Sequence, residues 1–212
     1  MSTFIKILLL CFCSSAWGAT EAKLEQVAID PAGIARGAQL LMSNCHSCHT
    51  LKYIKYRDLA GVGIAKNLID EWRGDQPMDA TLQAQMPEND AVQAFGKAPP
   101  DLSLMAKARD GGVNYVYSYL LAYYQTPEGA TGNHVYPETH MPDPLGISNA
   151  ADEAAKGAIR EQARDIVSFL AWTADPHEQE RHKLGYYVIG YLLVLTALLY
   201  LLKRQIWSRL DS

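Results

Sequence analysis

The sequence predicts a mainly α-helical domain with long loops, followed by one C-terminal transmembrane helix. Five stretches carry apolar residues at helical spacing, and segments rich in proline and glycine separate them. A run of 19 residues, 184–202, contains no charged side chain. Hydrophobic residues make up 49% of the chain and charged residues 20%, which is typical of a folded protein and argues against disorder.

The chain begins with the pattern of a secretory signal peptide. Lys6 precedes a short apolar stretch, and Ala16 and Gly18 place small residues before a cleavage site. We expect the signal peptide to span 1–18, with a buried N-terminal helix as the alternative. Its removal would leave Cys45 and Cys48 as the cysteines of the mature chain.

In the exported domain, 19–183, the apolar pattern predicts where the helices lie. We predict helices at 34–44, 64–72, 101–109, 113–124 and 150–174, the third capped by Asp101 or Ser103. Tyr115, Tyr119 and Tyr123 recur every four residues and give the fourth helix an aromatic face. Prolines interrupt 73–100, which we expect to be mostly loop, and 125–149, which we expect to be a long irregular loop. We expect 177–183 to be a short charged link. No segment has the alternation of a convincing strand.

The apolar run 184–202 is long enough to cross a bilayer. As a helix it spans roughly 28 Å, close to a hydrocarbon core of roughly 30 Å. Tyr186 flanks one end, and Lys203 and Trp207 flank the other, as membrane interfaces favour. The signal peptide sets the orientation: the domain 19–183 lies outside and the tail 203–212 lies in the cytoplasm.

The net charge of the exported domain is −7, against −4 for the whole chain, because Lys6 and the tail carry the excess of positive charge. An acidic domain is a poor binder of nucleic acid. Its field could attract a basic protein partner, although ordinary solubility explains the charge equally well.

The segment Cys45-His46-Ser47-Cys48-His49 has the spacing of a c-type haem attachment site. Two thiols three residues apart on a helical turn can reach the vinyl groups at one haem edge, and His49 then follows as an axial iron ligand. A structural zinc site would need a second Cys pair, and a thioredoxin-like pair would need a preceding strand. The sequence therefore predicts a cytochrome c-type domain with one haem c, and we expect His46 at the surface.

A second axial ligand is sought among the methionines and histidines. Met141 lies in a proline-rich loop that could fix its thioether against the iron, and thioether ligation suits electron transfer. Met105, His134 and His140 remain alternatives at this stage.

At several further places the chain resembles cytochrome c1. The matching segments are 36–40, 51–53, 99–104, 106–109, 133–137, 141–143 and 165–172, together with the haem motif and the tail anchor. The most specific of them is Pro99-Pro100-Asp101-Leu102-Ser103. The resemblance implies that Met141 is the sixth iron ligand, that Arg109 and Tyr115 contact a haem propionate, and that Pro100 packs near the haem.

The resemblance also implies a function. Cytochrome c1 is the haem subunit of the dimeric cytochrome bc1 complex, the quinol–cytochrome c oxidoreductase of the respiratory chain. It works beside cytochrome b, accepts an electron from the Rieske iron–sulfur protein and passes it to a soluble c-type cytochrome. No bond is made to a substrate, so no catalytic acid or base is expected. The implied location is the bacterial inner membrane, with the haem domain in the periplasm.

Two other functions remain open from the sequence. One is a membrane-tethered monohaem electron carrier outside any bc1 complex. The other is a haem sensor whose iron keeps an open coordination site.

Overall fold

The computed structural model describes residues 23–208, so the predicted signal peptide and residues 209–212 lie outside the described residues. Within this range the chain forms seven α-helices and two small antiparallel sheets. The helices are α1 Ile34–Asn44, α2 Lys66–Arg73, α3 Glu88–Phe95, α4 Met105–Ala108, α5 Gly112–Leu121, α6 Glu153–Ala174 and α7 Glu178–Trp207. The strands are β1 Leu51–Lys55, β2 Thr81–Leu82, β3 Tyr123–Gln125 and β4 Thr131–Asn133, and short 3₁₀ turns cover Pro31–Gly33, Tyr56–Val62 and Ile147–Asn149. The predicted mainly α class is confirmed.

The predicted helices all form, with changes at their ends. Helix α1 has the predicted bounds, but α5 ends at Leu121, so Tyr123 lies on β3 rather than on the helix. Helix α4 begins only at Met105, and neither Asp101 nor Ser103 caps it. Helix α7 starts at Glu178, so the expected charged link is its first two turns.

The expectation that the chain has no convincing strand was wrong, whereas 73–100 is mostly loop as expected and holds β2 and α3 as its regular elements. Strand β1 pairs with β2 across a bulge, and β3 pairs with β4 in register from Tyr123 to Gln125. These strands have two to five residues, which is too short for a clear alternating pattern, and β1 pairs with a segment far along the chain, so a local pattern gives little sign of them. Helix α3 is short, and Ala91 is its buried residue.

The core of the domain is the packing of α1 against α6. Buried side chains recur at Ala38, Leu41 and Met42 on α1 and at Cys45 directly after it, the spacing of one helix face. Helix α6 presents a matching face, whose buried apolar residues are Ala163, Ile166, Val167, Phe169 and Leu170. Gly37 permits the close approach, because a Cβ built there would lie 1.9 Å from the carbonyl oxygen of Asp165. Cys45, the first residue after α1, is thereby fixed relative to α6.

An ion pair reinforces the same contact. The Arg36 guanidinium donates two hydrogen bonds of 2.7 Å to the buried Asp165 carboxylate and a third, of 3.0 Å, to Asp30. These bonds raise the pKa of Arg36, with the bond to Asp165 contributing most. The fork geometry of guanidinium suits this two-point contact, so the pair fixes the register of α1 on α6.

Helix α7 runs on from the domain. By length and composition it can cross a membrane, and no residue of its apolar window is buried in the isolated chain. Asp175, between α6 and α7, accepts hydrogen bonds from Lys107 on α4 (2.7 Å) and from Arg181 on α7 (2.5 Å). These two bonds lower the pKa of Asp175 and link the start of α7 to the domain.

We predict that Gly37→Ala lowers the free energy of unfolding by about 2 kcal/mol, because the added methyl group forces α1 away from α6. Denaturant unfolding followed by circular dichroism measures this change. Gly157→Ala on α6 is the control, since nothing lies within 4 Å of a Cβ at that position and alanine favours a helix. Equal stability of Gly37→Ala and wild type would contradict the close helix contact.

Candidate haem site

A cavity of about 520 Å³ opens between α1, α5, α6 and the loops 95–102 and 136–144. This volume lies within the range of about 300–1,000 Å³ that is typical of cofactor sites. The seven residues singled out from the sequence all line it: Cys45, Cys48, His49, Pro100, Arg109, Tyr115 and Met141. Residues almost one hundred positions apart are therefore brought to one site.

The cysteines and His49 lie on a closed turn at the end of α1. The carbonyl oxygen of Cys45 accepts hydrogen bonds from the backbone N–H groups of Cys48 (3.1 Å) and His49 (2.9 Å). Both thiols are free rather than joined in a disulfide. Burial raises the pKa of the Cys45 thiol to about 12, the opposite of the lowered pKa of a redox-active cysteine.

The His49 ring is oriented by a backbone carbonyl. Its Nδ1 atom lies 2.8 Å from the carbonyl oxygen of Pro100. A carbonyl oxygen can only accept, so Nδ1 carries the proton and Nε2 keeps its lone pair. Burial lowers the pKa of His49, which favours the neutral ring. This arrangement leaves Nε2 ready to bind a metal, with the tautomer fixed from behind.

Asp101 holds the segment that contains Pro100. Its carboxylate accepts hydrogen bonds from the Thr50 hydroxyl (2.6 Å), the Lys52 backbone N–H (2.9 Å) and the Ser103 backbone N–H (3.0 Å). Partial burial raises the pKa of Asp101, but these bonds outweigh burial and leave the pKa below its usual value. The expected helix cap is therefore a clamp between β1 and the 99–103 segment, which keeps Pro100 in reach of His49.

Of the candidate second ligands, Met141, Met105 and His140 line the cavity. His140 is exposed, and its Nδ1 is 2.7 Å from the carbonyl oxygen of Phe95. His134 is not among the lining residues and stacks on Tyr124 with ring centroids 4.2 Å apart.

The expectation that His46 lies at the surface was wrong. Its side chain is 2% exposed, and its Nδ1 has no hydrogen-bond partner within the described part of the chain. Its carbonyl oxygen accepts a bond of 3.3 Å from the Gln85 N–H, and that of Ser47 accepts one of 2.9 Å from Met86. The 85–86 segment therefore covers the attachment turn, and no local signal in the sequence indicated this cover.

Sequence reasoning also missed Tyr119 and Thr139 as members of the cavity wall. The repeat at Tyr115, Tyr119 and Tyr123 was recognised, and the rings do meet: the first pair is stacked with centroids 6.2 Å apart, and the second is edge-to-face at 5.6 Å. Burial, followed by the hydrogen bond to Tyr119, raises the pKa of Tyr123. The four-residue spacing of the tyrosines predicted that they share a face. It could not show that this face contacts the Met141 loop.

The residues present fit a covalently held haem. Two free thiols lie at one wall, an oriented imidazole follows them, and apolar side chains from α5 and α6, among them Val116, Leu120 and Leu170, line the interior. Within residues 23–208, no cluster of three or more His, Cys, Asp or Glu side chains could hold a bare metal ion. The donor set is therefore that of a haem protein rather than a zinc site.

Together the helical fold and this cavity define a c-type cytochrome. The family model described as the Cytochrome C1 family matches residues 23–210, and the chain belongs to that family. Its members carry covalently bound haem c, and so does this chain.

Bacterial and mitochondrial relatives are similar over most of their length. Cytochrome c1 of Allochromatium vinosum is 30% identical, over 84% of this chain and 85% of the relative. A mitochondrial cytochrome c1 heme protein of Solanum tuberosum is 34% identical, over 86% and 81% respectively. A chain of a solved structure described as a hyperthermophilic respiratory Complex III aligns over 98% of this chain and 94% of its own length, with 22% identity and a TM-score of 0.49.

We predict that Asp101→Asn lowers the free energy of unfolding by about 1–3 kcal/mol near neutral pH, because three hydrogen bonds lose their charged acceptor. Folding lowers the pKa of Asp101, so its contribution is present above the ordinary carboxyl pKa of about 4 and is lost as the pH falls through the lower folded-state value.

Denaturant titrations of the full chain at several pH values measure this effect. The difference between wild type and Asp101→Asn should stay constant down to about pH 5 and shrink below about pH 4. The exposed Asp110 serves as a control through Asp110→Asn, which should leave stability unchanged. A difference that persists undiminished at low pH would contradict the charged clamp.

Proposed function

We propose that this chain is the haem subunit of a quinol–cytochrome c oxidoreductase, the bc1 complex. In this role it takes an electron from a Rieske iron–sulfur protein and passes it to a soluble c-type cytochrome. The observation that carries the proposal is the meeting of the Cys45–His49 turn and Met141 in one cavity of a cytochrome c1 family member. The relative from Bradyrhizobium diazoefficiens is named "Cytochrome b/c1", and this name supports cytochrome b as a partner.

When bound, the haem supplies a one-electron couple between ferric and ferrous iron. Cys45 and Cys48 would hold it covalently, and His49 Nε2 and the Met141 thioether would serve as the iron ligands. A thioether ligand and the apolar lining favour the reduced state and so raise the potential. In this role no residue exchanges a proton or forms a bond with a substrate. The protein's part is to hold and orient the haem and to exclude water from it.

Arg109 and Tyr115 would hold the haem propionates in this proposal. Both line the cavity, Arg109 is exposed and Tyr115 is half-buried. A guanidinium at the surface offers paired donors to a carboxylate, and the phenol hydroxyl offers one more. Pro100 contributes its carbonyl to His49 and its ring to the cavity wall.

Partners would approach the haem at the side where residues of the cavity wall are exposed. Ser47, Pro100 and Pro142 line the cavity and are exposed, so a carrier docked there would contact the wall of the haem site directly. The charge of −7 on the exported part of the chain supplies long-range attraction for a basic carrier.

Helix α7 anchors the subunit in the membrane, with the haem domain in the periplasm and the C-terminus in the cytoplasm. The apolar run within α7 and its lack of buried contacts support the anchor, and the predicted signal peptide supports the orientation. Purification from bacterial inner membranes in mild detergent tests the whole proposal: cytochrome b and a Rieske protein should copurify in a dimeric complex. Isolation of the chain alone under conditions that preserve such complexes would favour a separate tethered carrier.

We predict that Met141→Leu abolishes the charge-transfer band between the thioether and ferric iron and opens the ferrous iron to carbon monoxide. The physical reason is the loss of the sixth ligand without a change in side-chain volume. Met105→Leu is the matched control, because Met105 also lines the cavity and should keep the band. Carbon monoxide binding to the unaltered ferrous protein would instead indicate a sensor with an open site.

We predict that the rate constant for electron transfer to a basic soluble cytochrome falls steadily as salt is added. The Debye length is roughly 10 Å at 0.1 M salt and shortens further above it, so the attraction is screened. Stopped-flow oxidation of the reduced full-length protein measures this rate. A rate that is indifferent to ionic strength would contradict electrostatic docking.

A further inference from the structure

We propose that the hydroxyl groups of Tyr119, Tyr123 and Thr139 form a closed chain of hydrogen bonds that starts and ends on the backbone of Met141 and positions that residue for iron ligation. This inference rests on the proposed role of Met141. The three residues act through Met141 and are positioning residues rather than ligands.

Four short contacts define this closed chain of hydrogen bonds. The Met141 N–H lies 3.2 Å from Thr139 Oγ1, and Thr139 Oγ1 lies 2.5 Å from Tyr119 Oη. Tyr119 Oη lies 2.9 Å from Tyr123 Oη, which lies 3.1 Å from the Met141 carbonyl oxygen. The path therefore leaves Met141 at its nitrogen and returns at its oxygen.

The chemistry of the end groups fixes the direction of the two bonds to Met141. The Met141 N–H can only donate and its carbonyl oxygen can only accept, whereas each hydroxyl has one hydrogen and can do both. Thr139 therefore accepts from the Met141 N–H, and Tyr123 donates to the Met141 carbonyl oxygen and also to Tyr119 Oη, so that its one hydrogen is shared between two acceptors. Either hydroxyl can donate in the bond between Tyr119 and Thr139, and hydrogen bonds linked in such a network strengthen one another.

The position of Met141 explains why such a device is needed. Between the end of β4 at Asn133 and the 3₁₀ turn at Ile147, the chain has neither helix nor strand. Downstream of Met141, the Asp143 carboxylate accepts backbone N–H bonds from Leu145, Gly146 and Ser148. The hydroxyl chain supplies the corresponding restraint at Met141 itself.

The restraint comes from a rigid part of the molecule. Tyr119 is on α5, and Tyr123 on β3 is only 5% exposed. The buried Asn133 donates a hydrogen bond of 2.8 Å to the Tyr119 carbonyl oxygen and thereby joins the start of the loop to the same helix. Tyr119, Thr139 and Met141 all line the haem cavity, so the chain of hydroxyls forms part of its wall.

The first measurement establishes the ligand. In the full-length holoprotein in detergent, the ferric charge-transfer band should be present in the unaltered protein and absent from Met141→Leu. If Met141→Leu keeps the band, the proposed ligand is wrong, and the inference about its positioning is overturned with it. If the band depends on Met141, the next comparisons test the positioning alone.

Tyr123→Phe removes the hydroxyl that donates to Met141 and leaves the ring in place. We predict that added imidazole displaces the thioether from ferric iron about fivefold more readily, the change in an equilibrium constant that corresponds to one ordinary hydrogen bond. Tyr117→Phe is the matched control, since Tyr117 lies on α5, is 6% exposed and is not among the residues lining the cavity. Equal imidazole affinities in the two variants would overturn the inference.

Two further variants keep the test sharp if Tyr123→Phe folds poorly. Thr139→Ser preserves the hydroxyl and should bind imidazole like the unaltered protein, whereas Thr139→Val should match Tyr123→Phe. Because the chain is closed, the double variant Tyr119→Phe/Tyr123→Phe should exceed the single variants by much less than the product of their effects. Equal behaviour of the Ser and Val variants, or effects that simply multiply, would show that the hydroxyls do not act as one unit.

Discussion

The close contact between α1 and α6 is the constraint on which the rest of this structure depends. Because Gly37 has no Cβ, the helices approach so closely that a Cβ there would overlap the Asp165 carbonyl. Arg36 donates two hydrogen bonds to the carboxylate of the same residue. Cys45 follows directly at the end of α1. The place where the helices touch therefore determines where the thiols and His49 enter the cavity, and the remaining segments are arranged around that turn.

The cavity is completed by segments that have little regular structure of their own. Buried backbone groups in such segments need partners, and here side chains supply them. Asp101 binds the 99–103 segment to β1, and Asp143 gathers the backbone that follows the Met141 loop. Small polar side chains thus satisfy backbone groups in these loops, as backbone hydrogen bonds do within helices. A haem site can then be built in a mainly α domain whose turns and loops supply more than half of the lining residues.

The parts of the fold that could be read from the sequence are those determined by short-range patterns. Helix α1 was predicted to the residue because its apolar face repeats over three turns, and the apolar run in α7 stands out by composition alone. Strands β1 to β4 and helix α3 could not be read, because the strands are short, α3 has a single buried residue, and β1 and β2 lie far apart in the sequence. His46 was misplaced for the same reason: its cover comes from residues 85–86, which are not adjacent in sequence.

By itself the sequence determined the chemistry of the site: two thiols and an imidazole at fixed spacing specify covalent haem attachment wherever a helical turn presents them. It also determined the apolar length of α7. Only the tertiary structure decided which carbonyl orients His49, and that Met105 and His140 share the cavity wall with Met141. It also decided that three hydroxyls from α5, β3 and a loop converge on the Met141 backbone. The physical reason is that the spacing of residues in a motif is a local property of the sequence. Hydrogen bonds between loops depend instead on how the helices that carry those loops pack together.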